Sequence, residues 1–325
     1  MITIVTTLLN EHATIAVWWE SLRQQTCVPD EFVFVDGGST DGTWEWLQGI
    51  ATTDAAKPAV RVFQHAGNIA TGRNAAIGWA RGDVIVVTDA GCIYDASWLE
   101  CLVAPLIKKE SVFSTTAFEP QLLVDDSFWL YLIAAATTPT KKEFIKDWLP
   151  SSRSVAFTKQ LWQNVGGYPE WIPYTEDVLF DMRIATLGIK PFFVREPLVA
   201  WRPRLTLWRY MRQLYNYTRS DGHAKLFYAR QVIRFFTYGG LIIFIGLSLF
   251  QSLWWFIFLA VSGSIYMYKF WRRFWSFSST KHSMIRCFGM LVLPLVIAIG
   301  DVGKMVGWVV GVGERWRGTV VDSSV

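Results

Sequence analysis

The chain has 325 residues, with 31 Lys and Arg against 27 Asp and Glu, a formal net charge of +4 and 52% hydrophobic residues. That length suits one α/β domain of ordinary size with an appended region. The four cysteines, Cys27, Cys92, Cys101 and Cys287, have neither paired nor metal-ligand spacing, which argues against a disulfide framework and a zinc site. The small net charge conceals a split. Residues 1–200 hold 15 basic and 23 acidic side chains, giving −8, whereas residues 201–325 hold 16 and 4, giving +12.

In chain order, strands are predicted at residues 2–6, 31–35, 60–63 and 84–88, with helices at about 15–24, 43–50, 71–80 and 97–108. Alternation of this kind predicts a mostly parallel sheet covered on both faces. The run Val33-Phe34-Val35-Asp36-Gly37-Gly38-Ser39-Thr40-Asp41-Gly42-Thr43 is an apolar strand that stops at an acidic, glycine-rich turn. Ser39, Thr40 and Asp41 are placed to cap the helix that follows. In a parallel α/β sheet, ligands bind beyond the carboxyl ends of the strands, which puts Asp36 where a ligand is expected. A second acidic strand end follows at Val84-Ile85-Val86-Val87-Thr88-Asp89. Past Phe118 the pattern changes to an apolar run from Phe128 to Ala136, a basic loop at Lys141-Lys142 and a short strand at Ser154 to Phe157. A helix over 176–187 is read as capped by Thr175 and stopped by Gly188.

The final third reads differently. Residues 204–234 interleave Arg204, Arg209, Arg212, Arg219, Lys225, Arg230 and Arg234 with Trp208, Tyr210, Tyr215, Tyr217, Phe227 and Tyr228, a mixture suited to helices at a lipid headgroup interface. The 34 residues from Phe235 to Tyr268 carry no charge. A single helix of that length would reach ~51 Å at ~1.5 Å per residue, beyond the ~30 Å hydrocarbon thickness. Two short spans hinged at Gln251-Ser252, over about 235–270, fit better, and a re-entrant hairpin is the alternative. Cations on both flanks return the chain to its starting side. A third apolar stretch, about 288–312, is interrupted by Pro294, Asp301 and Lys304, and reads either as a span with a buried Asp301/Lys304 pair or as an interfacial segment. A membrane is therefore the expected partner of the basic third, rather than nucleic acid. The opening residues lack a basic region, apolar core and cleavage site, so the first domain is expected to face the cytosol.

Several motifs now stand in a fixed order: Thr7-Leu8-Leu9-Asn10-Glu11, the Asp36 turn, Thr71-Gly72-Arg73-Asn74, Asp89-Ala90-Gly91, Gly166-Gly167-Tyr168-Pro169 and Thr175-Glu176-Asp177. This series resembles the family-2 glycosyltransferases of the GT-A fold, over residues 2 to 205. The resemblance implies a cytosolic GT-A domain over residues 1–203, followed by interfacial helices over 204–234 and a membrane region over 235–325.

It also implies a chemistry. Thr7, Glu11 and Asp36 would hold the nucleotide of a UDP- or GDP-sugar, Arg73 would contact nucleotide or phosphate, and Asp89 would approach the ribose. Asp177, in the Glu176-Asp177 pair, would be the catalytic base that takes the acceptor proton during an inverting displacement. Asp89 matches the first acid of the family's Asp-x-Asp motif, but Gly91 replaces the second, the usual direct ligand of the cation. Two readings follow: Mg2+ or Mn2+ held through Asp89 and the diphosphate, or neutralisation of the diphosphate by Arg202 and Arg204, which lie where many relatives place a metal-binding histidine. The implied acceptor is a lipid or lipid-linked glycan at the membrane face, in cell-envelope glycan or glycolipid synthesis. Gln213-Leu214-Tyr215-Asn216-Tyr217 lacks the Arg and Trp of the processive synthases, favouring single addition. A catalytically inactive membrane scaffold on the same fold is the competing reading.

Overall fold

The computed structural model describes residues 1–52, 57–140, 143–144 and 149–318; the Lys141-Lys142 loop lies outside the described residues. Over the described residues the chain divides into two compact bodies, the first formed by Met1–Gln121 and Thr140–Arg202 and the second by Leu122–Pro139 together with residues 203–318. The apolar run after Phe118, expected in the first domain, thus belongs to the second body.

The first body is built on an eight-stranded sheet: β1 (Ile2–Leu8), β2 (Glu31–Asp36), β3 (Ala59–Gln64), β4 (Val84–Asp89), β5 (Cys92–Tyr94), β6 (Phe113–Pro120), β7 (Ser154–Thr158) and β8 (Phe192–Trp201), in spatial order β3-β2-β1-β4-β7-β6-β8-β5. β1, β2, β3 and β4 pair in parallel, as their alternation with helices predicts. β6 and β8 also pair in parallel, whereas β7 runs antiparallel to both β4 and β6, and β5 antiparallel to β8, so the sheet is mixed with parallel pairings in the majority. Side chains of successive strand residues point to opposite faces, which gives two cores. Ile4, Leu8, Phe32, Phe34 and Val86 pack on one face with Trp18 of α1 (Ile15–Arg23), Leu47 of α2 (Thr43–Ile50) and Leu99 of α4 (Trp98–Ile107). Val5, Val33, Val35, Ile85 and Val87 pack on the other with Ile77 of α3 (Ile69–Trp79), Leu161 of α6 (Lys159–Asn164) and Phe180 of α7 (Glu176–Thr186). Because β2 and β4 flank β1 on opposite sides, the strand order reverses at β1, where a crevice opens at the strand ends.

The second body is helical: α5 (Phe128–Thr137), α8 (Leu207–His223), α9 (Tyr228–Phe250), α10 (Trp254–Phe277) and α11 (Ser283–Trp316). The expected hinge falls where α9 gives way to α10. Among the described residues α9 and α11 are long and apolar enough to cross a membrane; α10 runs on through Lys269, Arg272 and Arg273 and is less apolar. The third apolar stretch is one continuous helix through Pro294. Its second half lies along α8 with very close backbone approach, because Gly300, Gly303, Gly307 and Gly311 recur every three or four residues on one face. A Cβ at Gly303 would sit 2.8 Å from the Met211 carbonyl oxygen, so a larger residue there would force the two helices apart.

Candidate active site

The loops that leave β1 and β2 interlock by short polar bonds. Asn10 donates its backbone N–H to Ser39 Oγ (2.8 Å) and accepts on Oδ1 from the Thr40 N–H (2.9 Å), while the Glu11 N–H donates to Thr43 Oγ1 (2.9 Å) and the His12 N–H to Asp41 Oδ2 (3.0 Å). Of the three expected caps on α2, Asp41 alone acts as one: its Oδ1 accepts from Thr43 N (3.1 Å) and Thr43 Oγ1 (2.6 Å). These bonds hold the carboxylate below its usual range, the Thr43 hydroxyl foremost. Ser39 and Thr40 join the two loops instead.

Asp36, opposite Leu8 in the β1–β2 register, is fully buried. Its Oδ2 accepts from the Gly38 and Ser39 N–H groups at 3.0 Å each and from Gln64 Nε2 at 3.2 Å, and its Oδ1 has no partner. A buried carboxylate oxygen without a donor costs free energy and suits a ligand N–H. Across β1, Thr7 is paired with Asp89 in the β1–β4 register, so the nominated residues Thr7, Asp36 and Asp89 share one crevice edge. Thr7 Cγ2 also packs against Gly72, where a Cβ would approach to 2.7 Å; glycine there lets α3 lie on the sheet. Glu11, half-buried in the β1 loop, accepts from Thr14 Oγ1 at 3.0 Å.

Arg73 binds this edge to α7. Its side chain is 3% exposed, with Nη2 2.8 Å from Asp89 Oδ1 and Nη1 2.5 Å from Glu176 Oε1. Its motif assigns Arg73 to the ligand; in the fold both its terminal nitrogens are occupied by carboxylates and, of its nitrogens, the buried Nε lacks a partner. Burial pushes the Glu176 carboxyl up to about 7, against the Arg73 guanidinium and with the help of Asp177. The same carboxylates hold Arg73 firmly charged. Asp177, half-buried, accepts on Oδ1 from the Val178 N–H at 2.9 Å, and among the described residues no hydrogen bond reaches its Oδ2. Thr175 does not cap α7 with its side chain; its φ of 71° is left-handed, which turns the chain sharply just before the Glu176-Asp177 pair.

Three further residues complete the arrangement, and the sequence reading passed them over as site members. Asn74 accepts on Oδ1 from Trp162 Nε1 (3.1 Å) and the Tyr168 N–H (2.9 Å) and donates through Nδ2 to the Tyr168 carbonyl (2.8 Å), fixing the Gly166-Gly167-Tyr168-Pro169 turn. The Tyr168 ring stacks on Phe180 at 4.2 Å and lies under the Arg73 guanidinium at 5.4 Å. Asp181, one helical turn beyond Asp177, is buried with Oδ2 unpartnered, and burial followed by repulsion from Asp177 raises its carboxyl well above the usual range. Asn74 sits beside Arg73 in one motif, a signal that was available; nothing in the sequence distinguishes Asp181 as inward-facing.

Asp89 is the only acid of the Asp-x-Asp position, its Oδ1 is taken by Arg73, and Gly91 supplies no ligand. Among the described residues no group of three or more His, Cys, Asp and Glu is arranged to hold a metal ion. These donors do not make a complete divalent-cation site. Arg202 donates from Nη1 to the Gln121 carbonyl at 3.0 Å, and Arg204, exposed, belongs to the second body.

Residues 3–156 match the family profile described as Glycosyl transferase family 2. The chain is 26% identical over 237 residues to the Succinoglycan biosynthesis protein ExoA of Rhizobium meliloti (strain 1021), a match covering 69% of each protein. Among solved structures it is similar to the mannosyltransferase PcManGT from Pyrobaculum calidifontis in complex with GDP-Man and Mn2+, at 16% identity and a TM-score of 0.58 over 93% of this chain and 86% of that one. It is also similar to GalNAc-T7 with UDP, GalNAc and Mn2+, at 19% identity and a TM-score of 0.50 over 69% of this chain and 48% of that one. The mixed α/β sheet of the first body is thus the GT-A fold.

Proposed function

We propose that the chain is a family-2 glycosyltransferase, as the match of residues 3–156 to that family's profile supports, and that it moves a sugar from a UDP- or GDP-sugar, with inversion, to a lipid or lipid-linked glycan acceptor at a membrane. The observation that carries this reading is the Arg73 bridge, which unites the Asp89 strand end and the Glu176-Asp177 helix start in one site. The unpartnered Oδ1 of Asp36 accepts an N–H of the donor base, Thr7 stands on the same edge, and Glu11 is assigned to the nucleotide with them. Asp177, with Oδ2 unengaged, takes the proton of the acceptor hydroxyl as its oxygen forms a bond to the anomeric carbon. The bond from that carbon to the diphosphate breaks on the opposite face, and the electron pair leaves with the nucleoside diphosphate. Glu176, locked to Arg73, holds the helix start in place rather than taking the proton itself. Arg202 and Arg204 are assigned to the departing diphosphate, whose charge two guanidinium groups match well. The two similar structures carry Mn2+; in this chain Asp89 is the residue that would touch such an ion, and the incomplete donor set assigns it no step.

The acceptor and the membrane rest on other observations: two helices apolar enough to span, the positive charge of residues 201–325, and likeness to a protein of succinoglycan biosynthesis. Cations precede α9 and close α10, so both ends of the hairpin are assigned to the cytosolic side together with the catalytic domain. Thermal melting of the protein purified in detergent, with UDP- and GDP-sugars in turn, tests the donor. Stabilisation by one nucleotide class is expected, reaching ~2.7 kcal/mol at a hundredfold excess over Kd. Indifference to every nucleotide sugar would leave an empty fold and overturn the reading.

A further inference from the structure

The helical body contains a buried carboxylate surrounded by donors. Asp301 of α11, 1% exposed, accepts from Lys304 Nζ on its own helix (3.0 Å), Arg234 Nε (3.2 Å) and Tyr238 OH (3.0 Å) on α9, and Tyr266 OH on α10 (3.0 Å). An ionised carboxylate has about four acceptor sites, so Asp301 is saturated. Two cations therefore share one anion. The other partner of Arg234 is Gln231, which is neutral, and no second carboxylate pairs with Arg234 or Lys304 among the described residues. The cluster carries one positive charge more than it balances, and an uncompensated charge among apolar helices is costly.

Neither cation is sealed off. The Arg234 and Lys304 side chains are 18% and 25% exposed, and among the described residues Arg234 Nη2 and two of the three Lys304 protons have no hydrogen-bond partner. Arg234 also stands at the threshold of the uncharged run that begins at Phe235, the level at which lipid headgroups meet the hydrocarbon. Beside it on α9, Ile233 and Phe236 are 65% and 77% exposed, an apolar path that a free anion does not use and a lipid tail does. We propose that Arg234 and Lys304 bind the phosphate group of an anionic lipid, while Asp301, Tyr238 and Tyr266 fix the two cations in place. The ligand class is a phosphate monoester on an apolar chain, the chemistry common to phosphatidic acid and to a lipid-phosphate acceptor. This inference rests on the membrane reading above, and not on the sugar-transfer chemistry.

Native mass spectrometry of the full chain, titrated with phosphatidic acid, with phosphatidylcholine and with inorganic phosphate, measures the site directly. One saturable phosphatidic acid is expected, at least about tenfold tighter than either of the others. Lys304→Met and Arg234→Gln each reduce the cluster to one cation and one anion, and each should weaken phosphatidic acid binding about tenfold. Equal binding of the two lipids by wild type overturns the proposal even if no variant folds, and so does phosphatidic acid binding that neither cation variant reduces. Inorganic phosphate bound as tightly as the lipid would also overturn it, leaving a plain anion site. Flotation with neutral phosphatidylcholine vesicles separates the two levels: a chain that does not float refutes the membrane reading itself, whereas one that floats without preferring phosphatidic acid refutes this site alone.

Discussion

Arg73 and Glu176 are 103 positions apart in the chain, yet Nη1 of one lies 2.5 Å from Oε1 of the other, with both side chains nearly closed to solvent. The pair joins the helix after β3 to the helix that presents Asp177, across the crevice edge where Asp89 is the third member. Removing the cation would leave two carboxylates facing each other without compensation. Arg73→Gln should therefore cost ~3–5 kcal/mol of stability, the scale for breaking a buried ion pair, and depress transfer at the same time. A denaturation midpoint equal to wild type would show that the bridge does not hold the site together.

The strand ends were legible because the physics there is local: an apolar run, then an acid, then glycines, at Asp36 and again at Asp89. Both fall at the ends of parallel strands beside β1, where the strand order reverses. The second half of the sheet was harder to read. β6 buries Ser114, Thr115 and Thr116, whose hydroxyls are satisfied by the Leu102 carbonyl and by the carbonyl and hydroxyl of Ser154, so its sequence lacks the apolar signature of a core strand. Arg73 could be nominated from its motif, but its partners are a matter of tertiary geometry, and Asp181 differs from a surface acid only by the face of α7 on which it falls. In the helical body the small residues of α11 gave no hydropathy signal, although they determine how α8 packs.

Glu176 should leave a mark on the pH dependence of stability. Burial raises its carboxyl to about 7 in the fold from an ordinary 4.5, so the folded chain binds this proton more tightly than the unfolded one. Its contribution is full below the ordinary value and is lost as pH rises through about 7. Melting temperatures measured across that window should fall more steeply with pH for wild type than for Glu176→Gln, which carries no titrating group. Parallel curves would mean that Arg73 keeps Glu176 ionised throughout.

Asp177 and Asp36 should fail in opposite ways. Asp177→Asn keeps the shape and the Val178 N–H contact but cannot accept the acceptor proton, so transfer should fall about 10²–10⁴-fold while donor affinity stays within a few fold. Asp36→Ala removes the buried acceptor at the end of β2 and should weaken nucleotide binding first. Isothermal titration with the donor, set beside turnover, separates the two. Normal donor affinity in Asp36→Ala would move the nucleotide elsewhere, and full turnover in Asp177→Asn would require another base.

Gly91 offers the sharpest test of how the leaving diphosphate is neutralised. It occupies the second position of the acidic motif, and a Cβ built there meets nothing within 4 Å, so the first carbon of an aspartate side chain is accommodated. At this motif wild type offers a cation the carboxylate of Asp89, whose Oδ1 is already held by Arg73. Activity should therefore persist at chelator concentrations that silence Gly91→Asp once that variant has come to rely on a cation. Hard divalent ions prefer several oxygen ligands, and the added carboxylate should tighten Mn2+ binding, measurable by electron paramagnetic resonance without turnover. If Arg202 and Arg204 carry the charge instead, Arg202→Ala/Arg204→Ala should lose about 10²–10³-fold in kcat, the effect of removing a positioned charge stabiliser, with donor affinity changed less. A wild type inactivated by chelator, together with a double arginine variant of normal turnover, would return the leaving group to a metal held by Asp89 and the diphosphate and remove the arginines from the chemistry.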